Sequence, residues 1–159
     1  MANKTILENV KDAIAASAVI VESAKNEIVW ILPPQALVFA AQYGLTDKSE
    51  MLIEEGGHVR GITDISSPYT SVVRELLDIG EQVRHLHRYQ GEFMLIADQT
   101  DSLSSLALQK ADLRDLALDD HIAAFWTDDP SYTEYLMTTF EAVWKDAVDA
   151  KKHIEQLLE

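Results

Sequence analysis

Cysteine is absent from this 159-residue chain, and glycine and proline are scarce, with six and four residues. The absence of cysteine excludes disulfide bonds, thiolate metal sites and a cysteine nucleophile. The low content of glycine and proline, together with 47% hydrophobic residues, is typical of a packed globular protein. No stretch has the composition of a linker. The length therefore predicts a single domain over residues 1–159.

Basic residues are also few: 13 Lys and Arg stand against 27 Asp and Glu, which gives a formal charge of −14. Because the basic residues are not gathered in the sequence, we expect the chain to repel nucleic-acid phosphates and an anionic membrane surface. Charged residues keep the apolar stretches near the N-terminus below membrane length, and no secretory leader is predicted. These features predict a soluble cytoplasmic protein with no direct nucleic-acid binding and no membrane association.

Several familiar catalytic patterns are missing. Gly56-Gly57 lacks the GxxxxGK pattern of a phosphate loop and is better interpreted as the end of a helix, and neither GxSxG nor HExxH occurs. The acidic stretch 113–120 (LRDLALDD) lacks the ligand spacing and central glycine of a calcium loop. We interpret it as a solvated helix and its cap. The sequence thus predicts neither a metal site nor a cofactor.

Hydrophobic periodicity predicts the elements of the first third of the chain. Apolar residues at three- and four-residue steps from position 6 predict an amphipathic helix that runs to about Lys25. The apolar run 27–32 (EIVWIL), closed by two prolines, is typical of a strand buried on both faces. Pro34 can begin the next helix, with Gly44 beyond its end.

The rest of the chain continues with helix and strand and then adds strand upon strand. Helices are predicted at 47–55 and 67–80, and strands at 58–65, 83–88, 92–97, 102–108 and 121–126. Asp129-Pro130 supplies an N-cap and a first-turn proline for a last helix, whose apolar positions recur at helical spacing to the end of the chain. This order predicts a single α/β domain with a mixed central sheet, helices on both faces and a long C-terminal helix.

Polar side chains on or beside the strands are candidate ligand-binding residues: Asp98, His85, His87, Arg84 and Arg60. The two histidines alternate along a predicted strand and should share one side, which suits metal ligation or a polar sheet face; the lack of a third ligand favours the polar face. The arginines could fork onto an anion or pair with carboxylates. Asp98 follows an apolar strand, where an aspartate is a ligand or, more commonly, a turn residue bonding to backbone.

Four stretches in order resemble a known family: 24–34 (AKNEIVWILPP), 56–64 (GGHVRGITD), 81–101 (EQVRHLHRYQGEFMLIADQTD) and 121–147 (HIAAFWTDDPSYTEYLMTTFEAVWKDA). They resemble the phospholipase D-like domain, in the regulatory form found at the C-terminus of archaeal TrmB-type transcription regulators. The likeness covers most of the chain. Its most specific part is the ending, a strand leading into Trp-Thr-Asp-Asp-Pro and then a helix with Phe-Glu-x-x-Trp. The resemblance implies the fold of one phospholipase D-like half.

Active members of that family carry HxK(x4)D, in which the histidine attacks phosphorus, the lysine neutralises phosphate oxygens and the aspartate supports the histidine. Counting back from Asp98 places Phe93 at the lysine position and Gly91 at the histidine position, and no other histidine has a lysine two residues on. Since charge stabilisation is a large part of phosphoryl-transfer catalysis, the resemblance implies a site that has lost its chemistry. Active enzymes also join two motifs across a pseudo-twofold axis. The resemblance therefore implies a homodimer with Asp98, His85 and His87 near that axis.

Three functions are compatible with these observations, and we prefer the first, a non-catalytic sensory or regulatory domain that binds a small molecule or a protein partner at the degenerate site. A DNA-binding role is not carried over from the regulators, because the first predicted helix begins within a few residues of Met1. The second is an interaction module that dimerises through the C-terminal helix, whose apolar stripe includes Ile154 and Leu158; packing on the chain's own first helix explains that stripe equally well. The third is a phosphoester hydrolase with an atypical site made of His85, His87 and Asp98.

Overall fold

A computed structural model gives the fold of the chain and describes residues 3–105 and 116–158. The strands are β1 (Lys4–Asn9), β2 (Glu27–Ile31), β3 (His58–Thr63), β4 (Gln82–His85), β5 (Phe93–Ala97), β6 (Asp101–Ser105), β7 (His121–Thr127) and β8 (Val148–Asp149). The helices are α1 (Val10–Ser23), α2 (Pro34–Gln42), α3 (Leu45–Glu54), α4 (Thr70–Asp78), α5 (Pro130–Asp146) and α6 (Ala150–Leu157), with a short 3₁₀ helix at Ser67–Tyr69 before α4.

All eight strands belong to one sheet, in the order β1-β7-β6-β5-β2-β3-β4-β8. The three central strands β2, β3 and β4 run parallel, and their neighbours pair with them or with one another in antiparallel fashion. Ile31 ends β2 beside Ile62, Thr63 ends β3 beside His85, and antiparallel β5 begins next to β2. We call this the carboxyl end of the sheet, and the opposite one, where Glu27 pairs with His58, the amino end.

Helices cover both faces of the sheet. On the first face, side chains of α1, α2, α3, α4 and α6 pack on alternate strand residues such as Ile28 and Trp30. On the second face, α5 packs through Leu136 and Phe140 on the intervening residues, such as Val29. Because β2 is buried on both faces, every one of its apolar side chains contributes, at about 1.5–3 kcal/mol each. The predicted α/β domain with a mixed, doubly covered sheet is confirmed.

The N-terminal element differs from the prediction. Residues Lys4–Asn9 form an edge strand paired with β7, and the helix begins only at Val10. Asn9 caps that helix, because its side chain accepts a hydrogen bond of 2.8 Å from the backbone N–H of Asp12. The first apolar residues have helical spacing but form a strand, because they pair with β7, more than a hundred positions away in the sequence.

The C-terminal helix is broken into α5 and α6, so the prediction of one continuous helix is wrong. Ala147 has extended backbone (φ −81°, ψ 150°), residues Val148–Asp149 pair with β4, and Asp149 caps α6 by accepting from the N–H of Lys152 at 3.1 Å. After the break the apolar residues change face: Ala150 and Ile154 of α6 pack on the first face, whereas Leu136 and Phe140 of α5 pack on the second. Of the predicted acidic helix 113–120, residues 116–120 form a turn and 113–115 lie outside the described residues, as do 106–108 of the predicted strand 102–108. No described helix is both long and apolar enough to cross a membrane.

Candidate functional site

The carboxyl end of the sheet brings together a histidine cluster, which consists of Asp64, His85, His87 and His153. Asp64 follows β3, His85 is the last residue of β4, His87 lies beyond it, and His153 comes from α6. The rings of His85 and His153 stack at 3.6 Å between centroids and 7° between planes. Nδ1 of His87 lies 3.5 Å from one Asp64 oxygen, and Nδ1 of His85 lies 3.9 Å from the other. Ends of parallel strands are a common position for ligand sites.

The backbone of Ile65 fixes two of these rings. Its N–H donates to Nδ1 of His85 at 2.9 Å, and its carbonyl oxygen lies 3.0 Å from Nε2 of His153. Nδ1 of His85 is therefore an acceptor, so the neutral ring carries its proton on Nε2. Burial lowers the pKa of His85, and the neighbouring His153 and His87 lower it further against the opposing effect of Asp64. The stacked pair thus ties α6 to the loop after β3.

His87 does not continue the alternation of His85, because β4 ends at His85. The two rings still lie on the same side, with 6.5 Å between their centroids and both facing Asp64, so the prediction is wrong only in placing His87 on the strand. His87 instead is the exposed member of the cluster, with 70% of its side chain accessible. Among the described residues, no group of three or more His, Cys, Asp or Glu side chains is arranged to hold a metal ion.

Asp98 lies at the amino end of the sheet and binds backbone. One carboxylate oxygen accepts from the N–H groups of Asn26 and Glu27 at 2.8 and 2.9 Å, and the other accepts from Lys25 at 2.8 Å. Burial raises the pKa of Asp98, but the three backbone donors together outweigh it, so the net shift is downward. These bonds fix the turn between α1 and β2.

Asp98 and the histidine cluster therefore do not converge on one site. Asp98 is level with Glu27 and His58, whereas His85 pairs with Thr63 at the other end of β3. Five residues of strand separate the two levels, roughly 17 Å at 3.3 Å per residue. Asp98 and the histidines are close in the sequence, but they lie far apart because the strands carry them to opposite ends of the sheet.

Arg60 and Arg84 hold α5 against the second face. The Arg60 guanidinium pairs with Glu141 and lies 5.1 Å from the ring centroid of Phe140. The Arg84 guanidinium lies 4.1 Å from the Trp144 ring and donates to the Trp144 carbonyl oxygen at 2.7 Å. Val83 packs in the first-face core, so alternation puts Arg84 on the opposite face from His85. Both arginines thus have partners within the chain.

The two altered motif positions lie at the start of β5. A Cβ atom at Gly91 would lie 2.3 Å from the hydroxyl oxygen of Tyr89, so the tyrosine occupies the space that a side chain there would need. Phe93 is only 7% exposed and packs edge to face with Tyr89, with 5.7 Å between ring centroids. The Tyr89 hydroxyl donates to the carbonyl oxygen of Glu92 at 2.7 Å. Burial, reinforced by Glu92 and Tyr135, raises the pKa of Tyr89 to about 12.

A second tyrosine completes this arrangement, which we call the tyrosine cluster: Tyr89, Glu92, Phe93, Ser104 and Tyr132. The Tyr132 hydroxyl lies 2.7 Å from Ser104 Oγ and 3.5 Å from a carboxylate oxygen of Glu92. Burial raises the pKa of Tyr132 as well, so both phenols are neutral at ordinary pH. The cluster offers hydrogen-bonding hydroxyls and a carboxylate, and no cation among its members.

Sequence patterns did not indicate Asp64, His153, Tyr89 or Glu92. Asp64 had a usable signal, since it lies near the end of the predicted strand 58–65, and the next predicted strand, 83–88, contains His85. Glu92 lies inside the motif window, between Gly91 and Phe93, and Tyr89 lies two residues before it. His153 had none, because its ring meets the others only after α6 folds back onto β4 and α4.

No family model matches this sequence, and no curated protein matches it either. Solved structures do share the fold. An archaeal chromatin protein, TrmBL2, superposes with a TM-score of 0.70 at 17% identity, over 92% of this chain and 54% of its own. Nuc from Salmonella typhimurium, a phospholipase D family member, gives 0.67 at 12% identity, over 94% and 98% of the two chains. NucT from Helicobacter pylori gives 0.70 at 12% identity, over 94% and 99%.

The chain thus has a phospholipase D-like fold. The resemblance derived from the sequence is confirmed at the level of the fold, which TrmBL2, Nuc and NucT share. The chain spans about half the length of TrmBL2 and nearly the whole of Nuc and NucT.

The exclusion of direct nucleic-acid binding is contradicted by these structures. TrmBL2, which shares the fold, is a chromatin protein described as having a novel mode of DNA binding. The exclusion rested on the net charge of −14 and on the scatter of basic residues along the sequence, but nucleic acid responds to the charge that the fold gathers on one surface. A negative sum is therefore insufficient to exclude nucleic acid.

Proposed function

We propose that this chain is a non-catalytic regulatory domain with a phospholipase D-like fold, which binds a small molecule or a protein partner at the carboxyl end of its sheet. The observation that carries the proposal is the filling of the two motif positions: Tyr89 occupies the space beside Gly91, and Phe93 is buried. A domain that keeps the fold but lacks the reacting groups can still bind a ligand or a partner, and we propose that this is its function.

The chemistry of the tyrosine cluster supports the non-catalytic part. Phosphoryl transfer needs a nucleophile and positive groups that neutralise the phosphate oxygens. The phenols here are neutral, with the pKa of Tyr89 raised to about 12, and Glu92 would repel a phosphate. His85 is bound to Ile65 on one side and stacked on the other, so it is not free to attack.

The recognition part of the proposal centres on His87 and Asp64. Of the five candidate residues from the sequence, Asp98, Arg60, Arg84 and His85 are engaged within the chain, while His87 is exposed beside Asp64. This pair offers a hydrogen-bond donor and an acceptor next to the stacked histidines. A ligand there would act on α6 through His85 and His153.

A phosphodiesterase assay tests the first part. With bis(p-nitrophenyl) phosphate, with and without divalent metal, we expect no hydrolysis above the buffer rate. Hydrolysis that disappears in His87→Ala would contradict the proposal, and would favour the atypical hydrolase instead.

A thermal-shift screen with sugars, nucleotides and phosphate esters tests the second part. A ligand of the native state raises the free energy of unfolding by mass action, by about 2.7 kcal/mol at a hundred times its Kd, and so raises the melting temperature. We expect the shift in the wild type and in His58→Ala, an exposed histidine at the amino end, and not in His87→Ala. A shift unaffected by His87→Ala would place recognition elsewhere.

Two further measurements belong with these. Ile154 is buried in the chain's own core, so a dimer interface along the C-terminal helix has only Leu157 and Leu158 exposed for it. Light scattering at tens of micromolar tests the predicted homodimer, and a mass of one chain would refute it.

Because TrmBL2 shares the fold, fluorescence anisotropy with labelled duplex DNA at low salt tests whether nucleic acid belongs among the ligands. Any such binding should weaken as salt is added.

A further inference from the structure

The first face contains a cavity that His87 and Asp64 do not line, although Phe93 and Ser104 of the tyrosine cluster do. It has a volume of about 130 Å³ and lies between the sheet and helices α1, α2 and α3. Its walls are mainly apolar, and include Ile14, Val21, Leu37, Leu103 and Ala124. Small residues on the facing helices, such as Ala13 of α1 and Ala40 of α2, leave the space open.

One carboxyl group lines this apolar space. Glu81, just before β4, is 5% exposed, and its Oε1 accepts a hydrogen bond of 2.9 Å from the indole Nε1–H of Trp30, which also lines the cavity. Ser49 of α3 is its other side-chain partner. A carboxyl group has about four acceptor sites when ionised and fewer when protonated, but in either form its two oxygens can accept more than these two bonds.

We propose that this cavity binds one small molecule that has an apolar ring of benzene size and a single hydrogen-bond donor directed at Glu81. The volume carries the first half, because an apolar cavity of about 150 Å³ is large enough to take up a benzene ring. Glu81 carries the second half, because a polar group in an apolar pocket fixes the orientation of its ligand. This inference is independent of the proposed role of His87 and Asp64.

Three isosteric probes separate the two halves of the proposal. Phenol has a ring and a donor, toluene has a ring alone, and fluorobenzene has a ring with no donor. All three should bind, and phenol should bind about three- to tenfold more tightly than the other two, the effect of one hydrogen bond. Equal affinities for the three would overturn the assignment to Glu81.

The indole N–H signals in ¹⁵N-labelled protein provide the readout. The chain has three tryptophans, of which Trp30 bonds to Glu81 and Trp144 lies on the second face. Trp30→Phe identifies the Trp30 signal, and Trp144→Phe identifies the Trp144 signal. We expect saturable movement of the Trp30 signal with each probe, and little movement of the Trp144 signal. No saturable movement with any probe would overturn the proposal.

Matched variants locate the binding. Ala13→Leu fills the cavity from α1 and should abolish saturation, whereas Ala15→Leu on the exposed side of the same helix should leave it unchanged. Ala40→Leu fills the space from α2 if the first variant does not fold. Glu81→Met should keep toluene binding and remove the preference for phenol. If the probes still bind saturably to both Ala13→Leu and Ala40→Leu, they bind outside this cavity, and the proposal is wrong.

Discussion

Asp98 holds the aspartate position of a catalytic motif, but its carboxylate oxygens bind the backbone N–H groups of residues 25–27. Three such bonds to one side chain resemble the capping of a helix end, where a carboxylate accepts from otherwise unpaired donors. The position is also conformationally demanding, since Asp98 has φ 54°. The residue that the chain shares with active enzymes is therefore explained by the architecture alone.

Replacing Asp98 should test that explanation. Asp98→Ala leaves three N–H groups without their acceptor and places alanine at positive φ, so we expect a loss of about 1–3 kcal/mol in the free energy of unfolding. Asp98→Asn keeps one acceptor oxygen and tolerates that backbone conformation, so its loss should be smaller. Urea denaturation measures both, with Asp119→Ala at an exposed turn as the control. A loss in Asp98→Ala no larger than that of the control would contradict the assignment.

Glu81 makes stability depend on pH in a defined window. Burial raises its pKa from 4.5 to about 7, against hydrogen bonds from Trp30 and Ser49 that lower it. Between these two values the native state holds a proton that the unfolded state has released, so stability falls as pH rises. The linked change is about 3 kcal/mol in order of magnitude.

Glu81→Gln isolates this effect. The amide cannot ionise, so the variant should gain stability relative to the wild type as pH rises from 4.5 to about 7, and hold that gain above it. His85, whose pKa is lowered by burial, acts in the opposite sense below its ordinary value of 6.5, but it is present in both proteins and cancels in the difference. Urea midpoints across this pH range measure the gain. A constant difference between the two proteins would show that Glu81 does not titrate in this window.

At the level of elements, those with strong local signals were predictable. The apolar run of β2 closed by prolines, and the Asp129-Pro130 start of α5, each carry their own boundary. The N-terminal strand and the break after α5 do not. β1 exists because it pairs with β7, and β8 because it pairs with β4; both pairings are set by distant strands, which helical spacing cannot reveal.

The candidate site was only partly predictable for the same reason. His85, His87 and Asp98 could be singled out by residue type and by position, the histidines on a predicted strand and Asp98 just after one. Their partners, Ile65, His153 and the backbone of residues 25–27, are brought to them by the fold from distant parts of the chain. The loss of the motif at Gly91 and Phe93 was visible in the sequence, whereas only the folded structure shows that Tyr89 fills the space beside Gly91.

The docking of α5 depends on one aromatic residue near its end. The guanidinium groups of Arg84 and Arg60 lie over the Trp144 ring, that of Arg60 at 5.4 Å from the ring centroid. The same ring stacks on Phe140. Trp144→Ala should therefore cost about 2–3 kcal/mol of unfolding free energy, through lost packing and lost cation–π contacts. Tyr135→Ala on the same helix, 53% exposed, is the matched control and should cost clearly less. Chemical denaturation that finds equal losses would contradict this account of α5.

At the level of the whole molecule, the fold decides which residues are buried, and the charge of −14 decides the electrostatic field at the surface. The fold places apolar residues on both faces of the sheet and leaves the acidic excess at the surface. In the described ranges, the ion pairs that do not involve histidine are Lys48 with Glu22 and Arg60 with Glu141. Most carboxylates there face the summed negative field without a close cation.

This imbalance predicts how salt affects stability. Self-repulsion of a strongly charged chain destabilises the compact state, and salt screens it over a Debye length of about 10 Å at 0.1 M. Screening also weakens surface ion pairs, but exposed pairs contribute only about 0–1 kcal/mol each, and few are present in the described part of the chain. The lost repulsion should outweigh them, so the urea midpoint should rise when NaCl is raised from about 0.01 M to about 0.1 M. Sodium chloride rather than sulfate is the right salt, because sulfate also strengthens apolar burial. A midpoint that falls with NaCl would mean that the carboxylates are paired far more than the distances indicate.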